Sequence, residues 1–257
     1  MTRFSDGSAG DANYGVIGAG YALIRQPDAR IAAAFHDALG DARTVLNVGA
    51  GAGSYEPTDR TVTAVEPSAS MRAQRPANLS VAVDATADAL PFADDSFDAS
   101  MASVTVHQWP DLAAGLGEMR RVTRGPVVIL TFDPVPPLNW WLIDYVPELF
   151  EVEGRRMPPL DTIAAALGGT TEIRTVLVPV DSTDGFGQAF FGRPERLLEP
   201  EVRRAMSAWS FVDDAVVDRF VTSLTDDLAS GAWDARYGSF RTLETFDVGM
   251  RLVIGRP

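Results

Sequence analysis

Three glycines at alternate positions follow an apolar segment near residue 45, and a loop of this kind can hold a ligand against bare backbone. The segment is Thr44-Val45-Leu46-Asn47-Val48-Gly49-Ala50-Gly51-Ala52-Gly53. Glycine tolerates positive φ and places no side chain between main chain and ligand. The alternative is a tight turn without a ligand. The dinucleotide fingerprint G-x-G-x-x-G is incomplete, because Ser54 occupies its third glycine position. A phosphate-binding P-loop needs a lysine, and the chain has none.

Two carboxylates follow the next two apolar segments. Glu66 follows Val65, seventeen residues beyond Gly49, and Asp84 follows Val83. A carboxylate at a strand tip beside a glycine loop can accept hydrogen bonds from the two hydroxyls of a ribose. Asp84 can accept one from an amino group such as that of adenine. The alternative for Glu66 is a solvated acid at the start of a helix. Together, the loop and the two acids favour an adenosyl ligand without phosphate.

The remaining composition narrows the chemistry. The 257 residues include no cysteine, which excludes disulfides, thiolate nucleophiles and cysteine-ligated metals. The two histidines, His36 and His107, are too few for an all-histidine metal site. A carboxylate-rich Mg²⁺ or Ca²⁺ site stays open, but no metal ligand is assigned. The net charge of −13 disfavours nucleic acid and anionic membrane surfaces as partners.

The N-terminal residues give no sign of a targeting segment. Met1 to Tyr14 are polar and acidic, without the basic and apolar regions of a signal peptide. No run of about 18 apolar residues could cross a bilayer. We therefore expect a cytoplasmic protein.

The elements that must hold these residues alternate between strands and helices. Helices are predicted over Pro27–Leu39, where apolar residues recur at four-residue spacing, and between Pro110 and Gly125. Five apolar runs are predicted as buried parallel strands: Thr44–Val48, Thr61–Val65, Leu79–Val83, Asp98–Val106 and Pro126–Phe132. This alternation is typical of a doubly wound α/β fold, in which ligands bind at the carboxyl ends of the strands.

The pattern changes beyond Phe132. Strands are predicted at Glu172–Val180 and Phe246–Ile254, and the stretch between them is mostly helical. We therefore predict three regions, namely an N-terminal arm (1–27), a core (28–182 plus 242–257) and a helical cap (183–241) inserted before the last strand.

Four ordered motifs resemble those of the class I S-adenosylmethionine-dependent methyltransferases, most closely their type 11 small-molecule branch. The likeness spans about residues 28–133. Besides the glycine segment, the matching stretches are Val65-Glu66-Pro67-Ser68-Ala69-Ser70-Met71, Asp84-Ala85 with Leu90-Pro91-Phe92, and Ser96-Phe97-Asp98 followed by Val104-Thr105-Val106-His107-Gln108-Trp109-Pro110-Asp111.

The resemblance implies a Rossmann-like, mostly parallel seven-stranded sheet whose last strand is antiparallel, with S-adenosylmethionine as the cofactor. By position it assigns the glycine loop to the methionine part, Glu66 to the ribose, and Asp84 with Ala85 to the adenine, flanked by Met71. The cofactor-binding residues that it implies are Asn47, Gly49, Ala50, Gly51, Gly53, Glu66, Pro67, Met71, Asp84, Ala85 and Ser103.

The sequence departs from the family pattern at two places near the loop. Asn47 stands where the family usually has an acid, so contact with the cofactor's amino group is expected to be indirect or weaker. Only Ser54–Arg60 separate the loop from the second strand. This short spacing predicts a rudimentary first helix, which weakens any helix-dipole contribution to binding.

The resemblance implies transfer of a methyl group to an O, N or C atom of a small metabolite by in-line displacement. Alignment of the acceptor and exclusion of water are then the main tasks. His107 is the candidate general base, because it follows the fourth strand and imidazole titrates near neutral pH; alternatively, it lines the pocket. The aromatic residues predicted to contact the acceptor are Tyr14, Tyr21, Trp140, Trp141 and Phe190.

Two other functions stay open. A non-catalytic protein that binds an adenosyl ligand would keep the same fold and site. An NAD(P)-dependent oxidoreductase is disfavoured by Ser54. The helical cap suits a lid over the acceptor and equally the face of a homodimer.

Overall fold

A six-stranded, mostly parallel sheet forms the centre of the computed structural model, which describes residues 5–7, 21–137 and 140–257. Its order is β2-β1-β3-β4-β8-β5. β1 to β4 pair in parallel, whereas β8 runs antiparallel to both β4 and β5. β6 and β7 form a separate ribbon. The strands are β1 (Thr44–Val48), β2 (Thr61–Val65), β3 (Ala99–Ser103), β4 (Val127–Phe132), β5 (Thr170–Thr175), β6 (Val178–Pro179), β7 (Thr245–Phe246) and β8 (Met250–Arg256).

Helices pack on both faces of this sheet. The α-helices are α1 (Tyr21–Ile24), α2 (Ala29–Ala38), α3 (Ala69–Arg72), α4 (Leu112–Arg121), α5 (Trp141–Tyr145), α6 (Pro147–Arg156), α7 (Leu160–Leu167), α8 (Pro200–Arg204), α9 (Asp214–Ser230) and α10 (Ala232–Tyr237). Side chains alternate between the faces of a strand. In β1, Val45 therefore joins the apolar cluster that contains Phe35 of α2, whereas Leu46 joins the cluster that contains Leu116 of α4.

The predicted doubly wound, mostly parallel fold is confirmed, but the prediction of seven strands is wrong. Leu79–Val83 does not form a strand, and Val83 makes only a single bridge to Val65. Val81 is 91% exposed and Val83 is 37% exposed. This run is apolar but largely exposed, because it lies outside the edge strand β2. The predicted strand at Glu172–Val180 divides into β5 and β6.

A third apolar cluster lies within the mostly helical region. It contains large side chains from α5, α9 and α10, among them Trp141 and Trp233, whose rings meet edge to face with 5.5 Å between centroids. Helix α9 buries Phe220 and Leu224 in this cluster. Because α5 precedes residue 183, the predicted cap shares its core with an earlier segment. The boundaries of the arm, core and cap stay predictions.

Candidate functional site

A cavity with about 850 Å³ of open space lies at the carboxyl ends of β1, β2 and β3. We call it the loop cavity, because the glycine loop after β1 forms part of its wall. Most of the predicted cofactor-binding residues line it, namely Asn47, Gly49, Ala50, Gly51, Glu66, Pro67, Met71, Ala85 and Ser103. The structure also places residues there that were not predicted: Ala52, Ser54, Ser68, Thr86, Ala87, Val104, Thr105, Gln108, Trp109 and Pro110.

The glycine loop turns sharply at the end of β1. Gly49 has φ of +69° and Gly51 has φ of +51°, a region that favours glycine. Gly49 N donates to the Val65 carbonyl at 2.9 Å, which fixes the loop against β2. A Cβ at Gly49 would lie 2.4 Å from Thr105 Oγ1. No helix forms between the loop and β2, since residues 54–60 form turns, bends and irregular chain.

Glu66 places a buried carboxylate between the loop and the start of α3. Its Oε2 accepts a hydrogen bond from Gly51 N at 2.8 Å, and its Oε1 accepts one from Ser68 N at 2.8 Å. Burial raises the pKa of this carboxyl, and the two backbone hydrogen bonds oppose that shift. A carboxylate has about four lone-pair sites, so each oxygen can accept one further donor.

Asn47 belongs to a buried polar network behind the loop. Its Nδ2 donates to Glu56 Oε1 at 2.9 Å, and Glu56 pairs with Arg75 at 2.9 Å. Both partners of that ion pair are almost fully buried. Asn47 Oδ1 is buried and accepts no hydrogen bond within residues 5–7, 21–137 and 140–257. A ligand with an amino group beside Asn47 would supply the missing donor.

Two predicted residues do not line the loop cavity. Asp84 is exposed and pairs with Arg72 at 3.0 Å. The next residue, Ala85, does line the loop cavity. Gly53 packs against Leu79 instead, so that a Cβ there would lie 2.3 Å from Leu79 Cδ1. Gly53 therefore shapes the loop and does not face the cavity.

A second cavity, with about 730 Å³ of open space, adjoins the first. We call it the aromatic cavity. Val104 and Gln108 line both cavities. The ring-bearing side chains in its wall are His107, Phe132, Trp140, Phe150, Phe186 and Trp209.

The predicted catalytic and acceptor-binding residues are placed differently. His107 lies in the 3-10 helix Val106–Gln108 and lines the aromatic cavity, with its Nε2 3.3 Å from Gln108 Nε2. Trp140 lines the same cavity. Trp141 and Phe190 are buried in the third apolar cluster away from this wall. Trp141 Nε1 donates to the Phe191 carbonyl at 2.8 Å. Tyr14 and the side chain of Tyr21 lie outside the described residues.

Several residues of the aromatic cavity were not predicted. Phe132 is the last residue of β4, and its position at the carboxyl end of a predicted strand is a signal available from sequence. Phe150 and Trp209 come from α6 and a 3-10 helix at Ser207–Phe211. Their convergence depends on how distant helices pack, for which the sequence has no local signal.

Val104 holds a strained backbone at the boundary of the two cavities. Its φ is +48°, an outlier for a β-branched residue. Its N–H donates to the Leu130 carbonyl at 2.8 Å, which holds the backbone against β4. Strain of this kind is concentrated at functional sites.

Comparisons with known proteins agree with this geometry. A family model described as "Methyltransferase domain" matches residues 46–129. A solved structure from Anabaena variabilis, described as a methyltransferase from an antibiotic biosynthesis pathway, is 32% identical, with a TM-score of 0.83. The match covers 90% of this chain and 98% of that chain. The chain belongs to the class I S-adenosylmethionine-dependent methyltransferases, in the type 11 branch. This methyltransferase is an enzyme that uses S-adenosylmethionine as its cofactor.

More distant structures share the methyltransferase fold alone. A Bacillus halodurans protein is 15% identical with a TM-score of 0.51, over 88% of this chain and 97% of that chain. A Haemonchus contortus phosphoethanolamine N-methyltransferase is 15% identical with a TM-score of 0.50, over 94% of this chain and 57% of that chain. No curated protein matches the chain.

Neither a membrane-spanning helix nor a metal-binding cluster was found in the described part of the methyltransferase. No helix there is long and apolar enough to cross a bilayer. Within the same ranges, no three His, Asp or Glu side chains come together as a potential metal site.

Proposed function

We propose that this methyltransferase transfers a methyl group to an O, N or C atom of a small apolar molecule bound in the aromatic cavity. The observation that carries the proposal is that the loop and aromatic cavities meet at Val104 and Gln108. In-line displacement needs an acceptor directly behind the methyl carbon. Because the two cavities share these lining residues, an acceptor in the aromatic cavity would lie next to a cofactor in the loop cavity.

The loop cavity fits S-adenosylmethionine in our proposal. Asn47 Oδ1, which has no donor among the described residues, accepts a hydrogen bond from the cofactor's amino group. The free lone pairs of Glu66 accept hydrogen bonds from the ribose hydroxyls, and Met71 with Ala85 flanks the adenine. The bound cofactor supplies an activated methyl group on a sulfonium. Asp84 contributes at most indirectly, because its carboxylate is exposed and paired with Arg72.

The aromatic cavity orients the acceptor and keeps water away from the methyl group. Its aromatic walls suit a planar or apolar molecule, since binding sites of this type are mostly apolar with few polar groups. His107 accepts the proton when the acceptor is a hydroxyl or a protonated amine. A carbon acceptor that is already nucleophilic needs no such base.

A small metabolite is favoured over a macromolecule. The net charge of −13 opposes binding to nucleic acid. The relative with 32% identity is described as part of an antibiotic biosynthesis pathway, which supports a role in specialised metabolism. We therefore place the acceptor among small specialised metabolites.

The test is formation of S-adenosylhomocysteine when the protein is incubated with S-adenosylmethionine and a panel of phenols, amines and carbon nucleophiles. We expect turnover with apolar aromatic members of the panel. Binding of both cofactor forms by calorimetry, with no turnover for any acceptor, would instead support the non-catalytic alternative.

His107→Gln separates base catalysis from pocket lining. If His107 is the base for a hydroxyl acceptor, kcat falls by about 10²–10⁴-fold with little change in cofactor affinity. If it only lines the cavity, the acceptor KM rises and kcat is largely retained. An unchanged kcat and KM would remove His107 from the site.

A further inference from the structure

The ionic groups in the wall of the aromatic cavity have partners of opposite charge. Arg25 Nε lies 2.5 Å from Asp184 Oδ1, and Asp184 also accepts a hydrogen bond from Tyr55 Oη at 2.8 Å. Glu153 pairs with Arg156 at 2.7 Å. The charges of Arg25 and Glu153 are therefore already neutralised by protein partners, and the cavity needs no charged acceptor to balance them.

Two tryptophans of this wall, Trp140 and Trp209, have indole N–H groups that find no acceptor among the described residues. Trp140 is 2% exposed and Trp209 is 7% exposed, and both line the aromatic cavity. The buried Nε1 of each makes no hydrogen bond within the part of the chain that the structure describes. A buried donor without a partner destabilises the protein, because it has lost its hydrogen bonds to water. Trp141, which lies outside this wall, does have an acceptor.

The rings of these two residues are held by aromatic neighbours. Trp140 meets Phe150 edge to face, with 5.0 Å between centroids, and Trp209 contacts Phe220 at 5.0 Å. Their apolar surfaces are thus satisfied by packing, whereas their N–H groups are not. The missing partners are hydrogen-bond acceptors.

We infer that the methyl acceptor is an uncharged aromatic molecule whose oxygen atoms accept hydrogen bonds from the indole N–H groups of Trp140 and Trp209. Hydroxyl, carbonyl and ether oxygens all have the required lone pairs. This inference rests on the proposed function, because it assumes that the aromatic cavity holds the acceptor. It narrows the acceptor class to oxygenated, neutral ring systems.

The test compares naphthol with naphthalene, two probes of similar shape that differ by one oxygen. Dissociation constants are measured by equilibrium dialysis on the full chain saturated with S-adenosylhomocysteine. We expect naphthol to bind about tenfold more tightly, which corresponds to about 1.4 kcal/mol for the added hydrogen bond to a buried donor. Trp140→Phe or Trp209→Phe should reduce this preference severalfold, and the double variant should abolish it.

Trp233→Phe is the matched control. Trp233 is fully buried and its Nε1 also has no partner among the described residues, but it lies in the third apolar cluster, outside the wall of the cavity. Its loss should leave the naphthol preference unchanged, and circular dichroism checks that each variant folds.

Three outcomes would overturn the inference. These are equal binding of both probes by the native protein, a preference that survives in the double variant, and an equal loss in Trp233→Phe. The first two leave the proposed function standing if both probes still compete with a methylated acceptor. Failure of both probes to bind, while S-adenosylhomocysteine binds normally, would overturn the placement of the acceptor as well.

Discussion

The carboxylate of Glu66 is buried, yet it must be ionised to accept hydrogen bonds from a ribose. Burial raises its pKa above the ordinary value of 4.5. Protonation therefore begins at a higher pH than for an exposed glutamate. We predict that affinity for S-adenosylmethionine is constant near neutral pH and falls as pH decreases through this raised pKa. Calorimetry across pH measures the effect, and Glu66→Gln should bind weakly with a flatter pH profile.

Asp84→Asn is the control for this prediction. Asp84 is an exposed carboxylate on the neighbouring segment and pairs with Arg72. Its replacement should leave the pH profile of cofactor binding as in the native protein. A pH profile that flattens in Asp84→Asn but persists in Glu66→Gln would contradict the assignment of the pH dependence to Glu66.

The strained backbone of Val104 predicts that its glycine variant is more stable than its alanine variant, which is the reverse of the usual order in a strand. In a regular strand, glycine is less stable than alanine by about 0.5–1 kcal/mol. At a φ of +48°, however, alanine keeps the steric strain that glycine relieves. We therefore predict that Val104→Gly is more stable than Val104→Ala by about 1 kcal/mol. Urea unfolding measures the difference, and Val127 in β4 should show the ordinary order.

The sequence placed some residues of the loop cavity correctly in the fold because their type and neighbourhood are local signals, although their roles in binding the cofactor stay predictions. The glycine loop and Glu66 are among these residues, because main-chain freedom and a carboxylate at a strand tip can be recognised locally. Asp84 was assigned to adenine by the same logic, but Arg72 from α3 holds its carboxylate at the surface. Val104 combines its positive φ with a backbone hydrogen bond to Leu130, which is distant in sequence, so no local pattern signals this conformation.

At the scale of elements, two glycines in helix α4 should respond oppositely to the same substitution. A Cβ at Gly117 would meet nothing within 4 Å, whereas a Cβ at Gly115 would lie 2.5 Å from Trp109 Cε3. Alanine is favoured over glycine in a helix by about 1 kcal/mol, so Gly117→Ala should raise the free energy of unfolding by about that amount.

Gly115→Ala should instead destabilise the protein by about 1–3 kcal/mol, because the added methyl group overpacks the helix against an indole. Since Trp109 also lines the loop cavity, the affinity for S-adenosylmethionine should fall as well. Thermal unfolding and calorimetry measure both effects. Equal stabilisation by the two substitutions would contradict the packing of α4.

Strands were predicted reliably where both faces are covered. Every residue of β4 is buried, as its continuous apolar composition indicates. Leu79–Val83 has similar composition but lies outside the edge strand, where no further strand pairs with it among the described elements. Composition reports the tendency to be buried, whereas the sheet order decides which runs have partners. That order was not available from the sequence.

At the scale of the whole molecule, Asp28 connects the core to the segment that leads into the helical region. Its carboxylate caps α2 by accepting from Arg30 N at 2.9 Å, and it also accepts from Thr183 N at 3.2 Å. We predict that Asp28→Ala lowers the free energy of unfolding by about 1–2 kcal/mol at neutral pH. Asp28→Asn should lose less, because asparagine also caps helices.

The same contacts predict how this stabilisation depends on pH. Arg30 foremost, through its hydrogen bond and charge, lowers the pKa of Asp28 from 3.8 to about 2. The ionised carboxylate therefore contributes stability above the unfolded pKa, and this contribution is lost as pH falls through about 2. Urea unfolding should show a constant difference between native protein and Asp28→Ala above pH 4, shrinking below it. A difference independent of pH would contradict the ion pair.

The aromatic cavity is the part of the molecule that the sequence predicted least well. Its wall combines Arg25 from the N-terminal segment with residues as distant as Trp209. No local spacing relates such positions. Of the predicted acceptor-binding residues Trp140, Trp141 and Phe190, only Trp140 lines this cavity, and the role of each in binding the acceptor stays a prediction. A homodimer formed through the helical region stays a prediction.

The position of β8 inside the sheet has a consequence for synthesis of the chain. This strand follows every other described element, yet it lies between β4 and β5 and hydrogen-bonds to both. A nascent polypeptide still on the ribosome therefore exposes one whole side of β4, and β5 has no place to dock. Unpaired strands of this kind invite association with other chains. Protection by chaperones should thus matter most until residues 250–256 have left the exit tunnel and paired with β4 and β5.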